Sequence, residues 1–257
     1  TMAKDEQPSP PLAGPVNGKN TPETGNGSGS TSNGENGNNN GNNGAPTLGP
    51  AGPYQEDFDE GEGGGAANWR VLGGQWRVVS SGRRSYRSLQ PDALSRAEHK
   101  HFNLADAAAR ATVSIDYALE NRQPMVALQI RQQGNRALEL RLIREKADTL
   151  TASLIALVDN KTVKQSEPAQ MGFDLNRPYN ISIHAVGPRA VAKVGEQVLY
   201  LYELPRQLQN GGRVRLLSRH CTSSWDDIYL GPADPSQVPQ EIPEPEVVEE
   251  KKPPEPE

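Results

Sequence analysis

The chain has 257 residues, a formal net charge of −5 and a hydrophobic share of 34%. Its single cysteine, Cys221, excludes an intramolecular disulfide. No apolar run approaches the roughly 20 residues that a membrane-spanning helix needs. The length leaves room for one domain with a sizeable hydrophobic core.

Both ends of the chain are poor in large apolar side chains. Residues 1–53 are dominated by Gly, Asn, Pro, Ser and Thr, a composition that cannot bury enough apolar surface to offset its conformational entropy. Residues 232–257 carry a proline every few residues, which blocks helices and central strands. We predict a disordered linker over 1–53, one folded domain over 54–231, and a disordered acidic tail over 232–257.

The domain reads as a succession of short strands. RATVSIDYALE (110–120) and VALQIRQQ (126–133) alternate apolar and polar residues, as strands with one buried face do. Gly134-Asn135 is a hairpin signal, and RALELRLIRE (136–145) follows it. Further strands are predicted at 68–74, 75–79, 85–89, 149–160, 179–186, 189–194, 197–204, 212–219 and 224–230. Only residues 97–111 look helical, so the pattern predicts an all-β protein with two antiparallel sheets packed as a sandwich.

Charge is distributed unevenly along the chain. Residues 66–231 carry a net +8, most of it from arginine, whereas residues 1–65 carry −7 and residues 232–257 carry −6. A basic body between acidic ends suggests an anionic partner. The alternative is that the arginines occupy solvent-facing strand positions and the ends keep the chain soluble.

Several stretches, taken in order, resemble a known superfamily. EDFDEG leads through Trp69 to GGQWRVV, NISIHAVG turns into AKVGEQVLYLYE, and GGRVRLLSRHCTSSWDDIYL closes the domain. This order resembles the concanavalin A-like lectin/glucanase superfamily and, within it, laminin G-like bacterial jelly-roll domains. The resemblance implies a jelly roll of two curved sheets over 54–231. It also implies that glycans or proteins bind on the concave face or on the rim loops.

Some members of that superfamily are glycoside hydrolases, which carry carboxylates at positions i, i+2 and i+5 of one concave strand. This chain offers only Glu139 with Glu145, and Asp116 with Glu120. Neither pair has the spacing, and the Asn-Ser-Gly stretch of those enzymes is missing before MVALQIR (125–131). We therefore predict a module without catalytic residues.

The stretch SSWDDIYLGP (223–232) raises the question of an acid pair. Asp226 and Asp227 are adjacent on a strand, so their side chains point to opposite faces and cannot act as a paired acid and base. Because the first and last strands of a jelly roll usually neighbour each other, Asp57 and Asp59 could join them around a structural Ca²⁺, which prefers oxygen ligands. The alternative is an aspartate that accepts backbone N–H bonds from the N-terminal turn. No other cofactor is expected.

The candidate ligand-binding residues are polar side chains of strands: Gln129, Arg131, Glu139, Arg141 and His184. The Gly134-Asn135 hairpin brings the first four together. Guanidinium groups donate paired hydrogen bonds to the carboxylates and hydroxyls of sugars. His184 faces either the concave side or solvent. The alternative for the arginines is an ion pair with Glu139.

His99 and His101 alternate and could share a face as metal ligands. No third ligand lies nearby in sequence, so we predict surface histidines. Cys221 has no base near it in sequence, which argues against a nucleophile.

The sequence thus predicts a recognition module of a secreted, periplasmic or cell-surface bacterial protein. Its partner would be a glycan, which may carry negative charge, bound through an Arg/Gln-lined sheet face. Two alternatives remain open: a structural or protein–protein interaction module of a cell-envelope assembly, and a divergent glycoside hydrolase. A nucleic-acid partner is not expected.

Overall fold

The computed structural model describes residues 53–58, 65–81 and 83–241, and these residues contain no α-helix. They form sixteen strands and three short 3-10 helices, the latter at Gly65–Asn68, Arg206–Leu208 and Pro235–Gln237. In chain order the strands are β1 Tyr54–Glu56, β2 Trp69–Gly73, β3 Trp76–Ser81, β4 Arg83–Ser88, β5 Ser95–His99, β6 Ala107–Ala118, β7 Met125–Gln133, β8 Arg136–Lys146, β9 Thr149–Val158, β10 Lys161–Gln165, β11 Ala169–Gly172, β12 Tyr179–Val186, β13 Arg189–Val194, β14 Gln197–Leu201, β15 Arg213–Arg219 and β16 Cys221–Pro232. None of the helices among these residues is long and apolar enough to cross a membrane.

The strands form two eight-stranded sheets. Sheet A has the order β14-β13-β12-β6-β16-β4-β3, and β1 also pairs with β16. Sheet B has the order β10-β9-β8-β7-β15-β5-β2, and β11 also pairs with β9. Every pairing is antiparallel. The predicted all-β, two-sheet sandwich is confirmed.

The core lies between the two sheets and is supplied by alternate strand positions. Sheet B contributes Leu138, Leu140 and Leu142 of β8, whereas sheet A contributes Val113 and Ile115 of β6. Burying a side chain of this size contributes about 1.5 to 3 kcal/mol relative to leaving it in water. The alternation read from the sequence therefore marks the face on which the two sheets pack.

Two details of the predicted strands are wrong. Residues 97–111, which look helical, contain the end of β5, a loop and the start of β6, because sheet pairing satisfies their backbone groups. The apolar–polar alternation of residues 110–120 places Tyr117 on the same inner face of β6 as Val113 and Ile115, but Tyr117 is 49% exposed. A register shift between Thr222 and Ser223 of the paired strand β16 breaks the alternation at that end of β6.

The first and last strands are neighbours, as expected. Tyr54 of β1 pairs with Leu230 of β16. Residues 233–241, assigned from the sequence to the tail, continue from β16 through a 3-10 helix, and Val238 among them is buried. Arg189 also donates a hydrogen bond to the carbonyl of Pro239.

A buried serine cluster ties the two sheets together. Ser223 of β16 contacts Ser218 of β15 in the opposite sheet, as well as Ser88 of β4. The indole nitrogen of Trp225 donates to the Ser223 hydroxyl over 2.9 Å. The cluster thus gives the fully buried Trp225 a partner for the only polar atom of its side chain.

Arg131 of β7 is buried beneath the edge of the sandwich, and its side chain is 0% exposed. Its guanidinium donates to the carbonyls of Ala105 at 2.6 Å, Gly187 at 2.8 Å and Leu208 at 3.0 Å. It also lies 3.4 Å from the carboxylate of Asp106. Burial lowers the pKa of Arg131 to about 10, and the charge of Asp106 opposes that shift. One arginine therefore holds three separate loops to β7.

A β-bulge turns Arg131 inward. Its backbone is left-handed, with φ of 52°, and the registers on both sides of β7 shift at this position. Gly212 packs against the bulge, and a Cβ there would lie 2.3 Å from the carbonyl carbon of Arg131. Only glycine permits this approach of the two backbones.

We expect Arg131→Met to lower the free energy of unfolding by about 3 to 5 kcal/mol, because it leaves three loop carbonyls, that of buried Leu208 among them, without their side-chain donor. The measurement is the urea midpoint of the full chain at pH 7. Arg122→Met, at an exposed arginine, is the matched control and should change the midpoint little. Equal midpoints for the two variants would contradict the role assigned to Arg131.

Candidate functional site

The outer face of sheet B holds polar side chains that point away from the core yet are almost inaccessible. Glu98 of β5 is 2% exposed, Gln129 of β7 is 6% and Glu139 of β8 is 3%. On the outer face of sheet A, by contrast, Arg110 and Lys193 are exposed. The polar side chains on the outer face of sheet B are therefore packed against one another rather than extended into solvent.

Five polar side chains on the outer face of sheet B stand in one line across five strands. Cross-strand pairing aligns Glu139 of β8 with Gln129 of β7, Gln129 with Arg215 of β15, Arg215 with Glu98 of β5, and Glu98 with Arg70 of β2. Directly opposed residues on one face have their Cβ atoms about 5 Å apart. We call this line, Glu139–Gln129–Arg215–Glu98–Arg70, the polar row.

At one end of the polar row, three arginines surround a single carboxylate. Glu98 accepts hydrogen bonds from Arg215 at 2.7 Å and from Arg70 at 2.5 Å, and Arg213 lies 3.4 Å away. Burial would raise the pKa of Glu98, but the bonds from Arg215 and Arg70 hold it below its ordinary value. Glu98 is thus ionised, and this end of the row keeps an excess of positive charge.

At the other end, Glu139 accepts hydrogen bonds from Gln129 at 2.7 Å and from Arg141 at 2.5 Å. The bond to the carboxylate fixes the orientation of the Gln129 amide, since only the NH₂ group can donate to Glu139. The amide oxygen of Gln129 therefore does not face Glu139.

Two side chains that are paired in the middle of the row each contain a polar atom without a hydrogen-bond partner. They are the amide oxygen Oε1 of Gln129 and the nitrogen Nε of Arg215, and both atoms are buried. A buried polar atom without a partner costs about 1 to 3 kcal/mol.

Two clefts lie at opposite ends of β7 on this face. One, of about 460 Å³, is lined by Arg70, Glu98, Arg213 and Arg215 together with Gln132. The second, of about 390 Å³, is lined at the start of β7 by Met125, with Arg141, Arg219, Arg122 and His220. From Met125 to Gln132 the strand spans roughly 23 Å.

The five residues predicted to bind a ligand are only partly brought together. Gln129, Glu139 and Arg141 lie on the outer face of sheet B and bond to one another. Arg131 does not share that face, because the bulge turns it into the interior. His184 lies on sheet A and pairs with Ala108 and Val191, so it is remote from the polar row. Burial lowers the pKa of His184, and the charges of Arg110 and Lys193 lower it further.

The candidate calcium ligands lie on β16, directly after β1, and outside the described residues. Asp226 is buried and accepts the backbone N–H of Asp227 at 2.8 Å, while Asp227 accepts from the hydroxyl of Thr112 at 3.1 Å. Asp57 follows β1, and Asp59 lies outside the described residues. Among described positions, no three His, Cys, Asp or Glu side chains come together as metal ligands. The calcium site stays a prediction.

A carboxylate does fix the N-terminal turn, but it belongs to a glutamate. Glu56 accepts the backbone N–H of Phe58 at 2.9 Å and the hydroxyl of Tyr54 at 2.8 Å.

His99 is not the surface residue that the sequence suggests. It is 4% exposed and packs between the rings of Tyr54 and Trp69, at 4.4 and 5.3 Å between ring centres. Its Nδ1 accepts the backbone N–H of Phe102 at 3.0 Å. Burial, followed by the charge of His101, lowers the pKa of His99 to about 4. Burial likewise raises the pKa of Cys221 to about 12, so this thiol stays protonated.

Sequence reasoning missed three members of the polar row: Arg70, Glu98 and Arg215. The sequence did indicate an outward position for Arg215, because GRVRLLSR alternates its arginines with the apolar residues of β15. It gave no such indication for Glu98, since Glu98 lies in the stretch that looks helical.

No protein-family model and no curated protein matches the chain in sequence. Solved structures do match it in fold. Carbohydrate-binding module CBM66 from Bacillus subtilis is 12% identical, with a TM-score of 0.50 over 63% of this chain and 93% of that one. A Bacillus licheniformis β-glucanase is 11% identical, with a TM-score of 0.52 over 70% and 98%.

A Crh5 transglycosylase in complex with NAG is also 11% identical, with a TM-score of 0.53 over 73% of this chain and 87% of that one. At such low identity these likenesses concern the fold alone. They confirm the jelly-roll fold that the resemblance implies, whereas the laminin G-like subtype stays a prediction.

We expect the stability of the domain to fall as the pH is lowered from about 6.5 to 4, partly because of His99. Its pKa is lower in the folded chain, so the unfolded chain binds the extra proton first and is favoured by acid. The lost stability reaches about 3 kcal/mol near pH 4. His99→Asn keeps an acceptor for Phe102 but does not titrate, so its urea midpoint should depend less on pH.

The control is His220→Asn, because His220 occupies a left-handed turn position that asparagine tolerates. Its urea midpoint should follow the wild-type pH dependence. Parallel curves for His99→Asn and the wild type would show that His99 is not the responsible group.

Proposed function

We propose that the chain is a non-catalytic glycan-binding module whose ligand lies on the outer face of sheet B. The observation that carries this proposal is the polar row itself, which crosses five strands between two arginine-lined clefts. Sugar hydroxyls both donate and accept, so they suit a face that offers guanidinium and amide groups.

The preorganisation of the row supports recognition of a polar ligand. Glu98 and Glu139 hold Arg215, Arg70, Arg141 and Gln129 in fixed positions before any ligand arrives. Side chains that are already ordered lose little rotamer entropy on binding. Affinity then comes from hydrogen bonds, because the row itself contains no aromatic side chain.

The same geometry argues against hydrolysis on this face. Glu98 and Glu139 stand three strand spacings apart, which is roughly 14 Å. Glycoside hydrolases need two carboxyl groups about 5 to 9.5 Å apart. Both carboxylates are also occupied by arginine or amide donors, and the lowered pKa of Glu98 does not suit a general acid.

The comparisons support the proposal without deciding it. One of the matched folds is a carbohydrate-binding module and another is a β-glucanase, and the fold alone serves both binding and catalysis. An extracytoplasmic setting remains part of the proposal. The interaction module and the divergent hydrolase that the sequence left open become outcomes of the test.

We expect the full chain to bind glycans on an array, and Gln129→Leu to weaken that binding about tenfold, the effect of losing roughly 1.4 kcal/mol of hydrogen bonding. Gln197→Leu, at an exposed position of β14 in the opposite sheet, is the control and should bind as the wild type does. Circular dichroism of both variants checks the fold.

Absence of binding to any glycan, at low and at high salt, would refute the proposal and leave the interaction module. Release of shorter sugars from a bound glycan would replace it with the hydrolase.

A further inference from the structure

We propose further that the ligand is a linear acidic polysaccharide, laid along β15 with its negative groups on Arg213, Arg215 and Arg219. This inference rests on the proposed glycan-binding function and specifies the class of glycan and its direction on the sheet.

The outward positions of β15 form a line of positive charge. Val214 and Leu216 point into the core, so residues 213, 215, 217 and 219 share the outer face. Three of these four are arginines. Alternate residues of a strand lie roughly 6.6 Å apart, so the line from Arg213 to Arg219 extends about 20 Å.

The positive charge of this face exceeds its negative charge. Glu98 is shared by Arg70, Arg213 and Arg215, which leaves two charges uncompensated there. Within the described segments Arg219 forms no ion pair, and Nε of Arg96, two residues before Glu98, is buried without a partner.

Part of this positive charge is also poorly accessible to water. The side chain of Arg215 is only 16% exposed, so solvent does not fully screen it. Recessed, uncompensated guanidinium groups favour an anionic ligand over a neutral one.

The direction follows from the two clefts. Arg213 lines the cleft at one end of the face, and Arg219 lines the cleft at the other. β15 runs between them, beside the polar atoms of Gln129. A single sugar would reach only one part of this line, whereas a polymer lying along β15 fills both clefts and passes over the middle of the polar row.

Amide side chains separate an acidic glycan from other polyanions. The cleft at Arg213 is also lined by Asn103, Gln132 and Gln133, whose amides bond to hydroxyl groups. A polymer that carries both anionic groups and hydroxyls satisfies the arginines and these amides together.

The test is isothermal titration calorimetry of the full chain at 50 and 300 mM NaCl. The carboxylated probes are polygalacturonate, alginate and hyaluronate, and the sulfated probe is dextran sulfate. Carboxyl-reduced polygalacturonate and plain dextran are the neutral counterparts. We expect at least one acidic polymer to bind at least tenfold more tightly than its neutral counterpart, and its affinity to fall with salt. The carboxylated and sulfated arms identify which anionic group is bound.

Arg213→Gln and Arg219→Gln should each weaken binding of that polymer about tenfold, as loss of a charged hydrogen bond does, and should reduce its salt dependence. Arg110→Gln, at an exposed arginine on sheet A, should leave binding unchanged. Because all three arginines are partly or fully exposed, melting temperatures near that of the wild type will show that the variants fold.

Two results overturn the inference while the glycan-binding function stands. One is equal affinity for acidic and neutral polymers, and the other is binding of acidic polymers that neither Arg213→Gln nor Arg219→Gln weakens. Binding of polyglutamate or oligodeoxythymidylate as tightly as the acidic glycans, unaffected by Gln129→Leu, would show a general polyanion surface and overturn it as well. No binding of any glycan would refute the inference and the proposed function together.

Discussion

The architecture depends on one extra residue in β7. Arg131 is inserted relative to both neighbouring strands, and its left-handed backbone sends a guanidinium into the interior. Three loop carbonyls and Asp106 converge on that group. Gly212 admits the bulge and leads directly into β15. The bulge therefore sets where β15 meets β7, and so it sets the alignment of Arg215 with Gln129.

The polar row pairs buried charges in a way that does little for stability. Taking an ion pair out of water costs much of what the attraction between the partners returns. Glu98 nevertheless holds three arginines, and Glu139 holds Arg141 and Gln129. The effect of these ion pairs is to hold the hydrogen-bond donors in fixed positions. Donors that are already fixed do not have to lose rotamer entropy when a ligand binds.

Much of the fold could be predicted because it follows from local alternation. The strands over 110–120, 126–133 and 136–145 show it clearly, and the Gly134-Asn135 hairpin correctly places Gln129 against Glu139. The inward orientation of Arg131 was not predicted, because a bulge reverses the direction of the side chain without altering the composition of the strand. The only trace of it in the sequence is Gly211-Gly212, whose close contact lies some eighty residues away.

The rest of the site could not be predicted, because it is made by distant pairing. Arg215 and Glu98 are 117 positions apart, and no local pattern indicates that β15 inserts between β7 and β5. Glu98 also sits in a stretch whose alanines and histidines mimic a helix until sheet partners are available. The local sequence shows where each strand lies along the chain, whereas it does not show the order of the strands in a sheet.

The position of β15 and β16 has a consequence for synthesis. These two strands, joined only through His220, occur late in the domain, yet each occupies the middle of a sheet. A nascent chain that ends before residue 213 has no strand to place between β7 and β5, or between β6 and β4. Five strands, namely β1, β4, β5, β6 and β7, then lack a partner along one edge, and such edges invite association with other chains. The polar row and the protection against aggregation are therefore completed by the same two late strands.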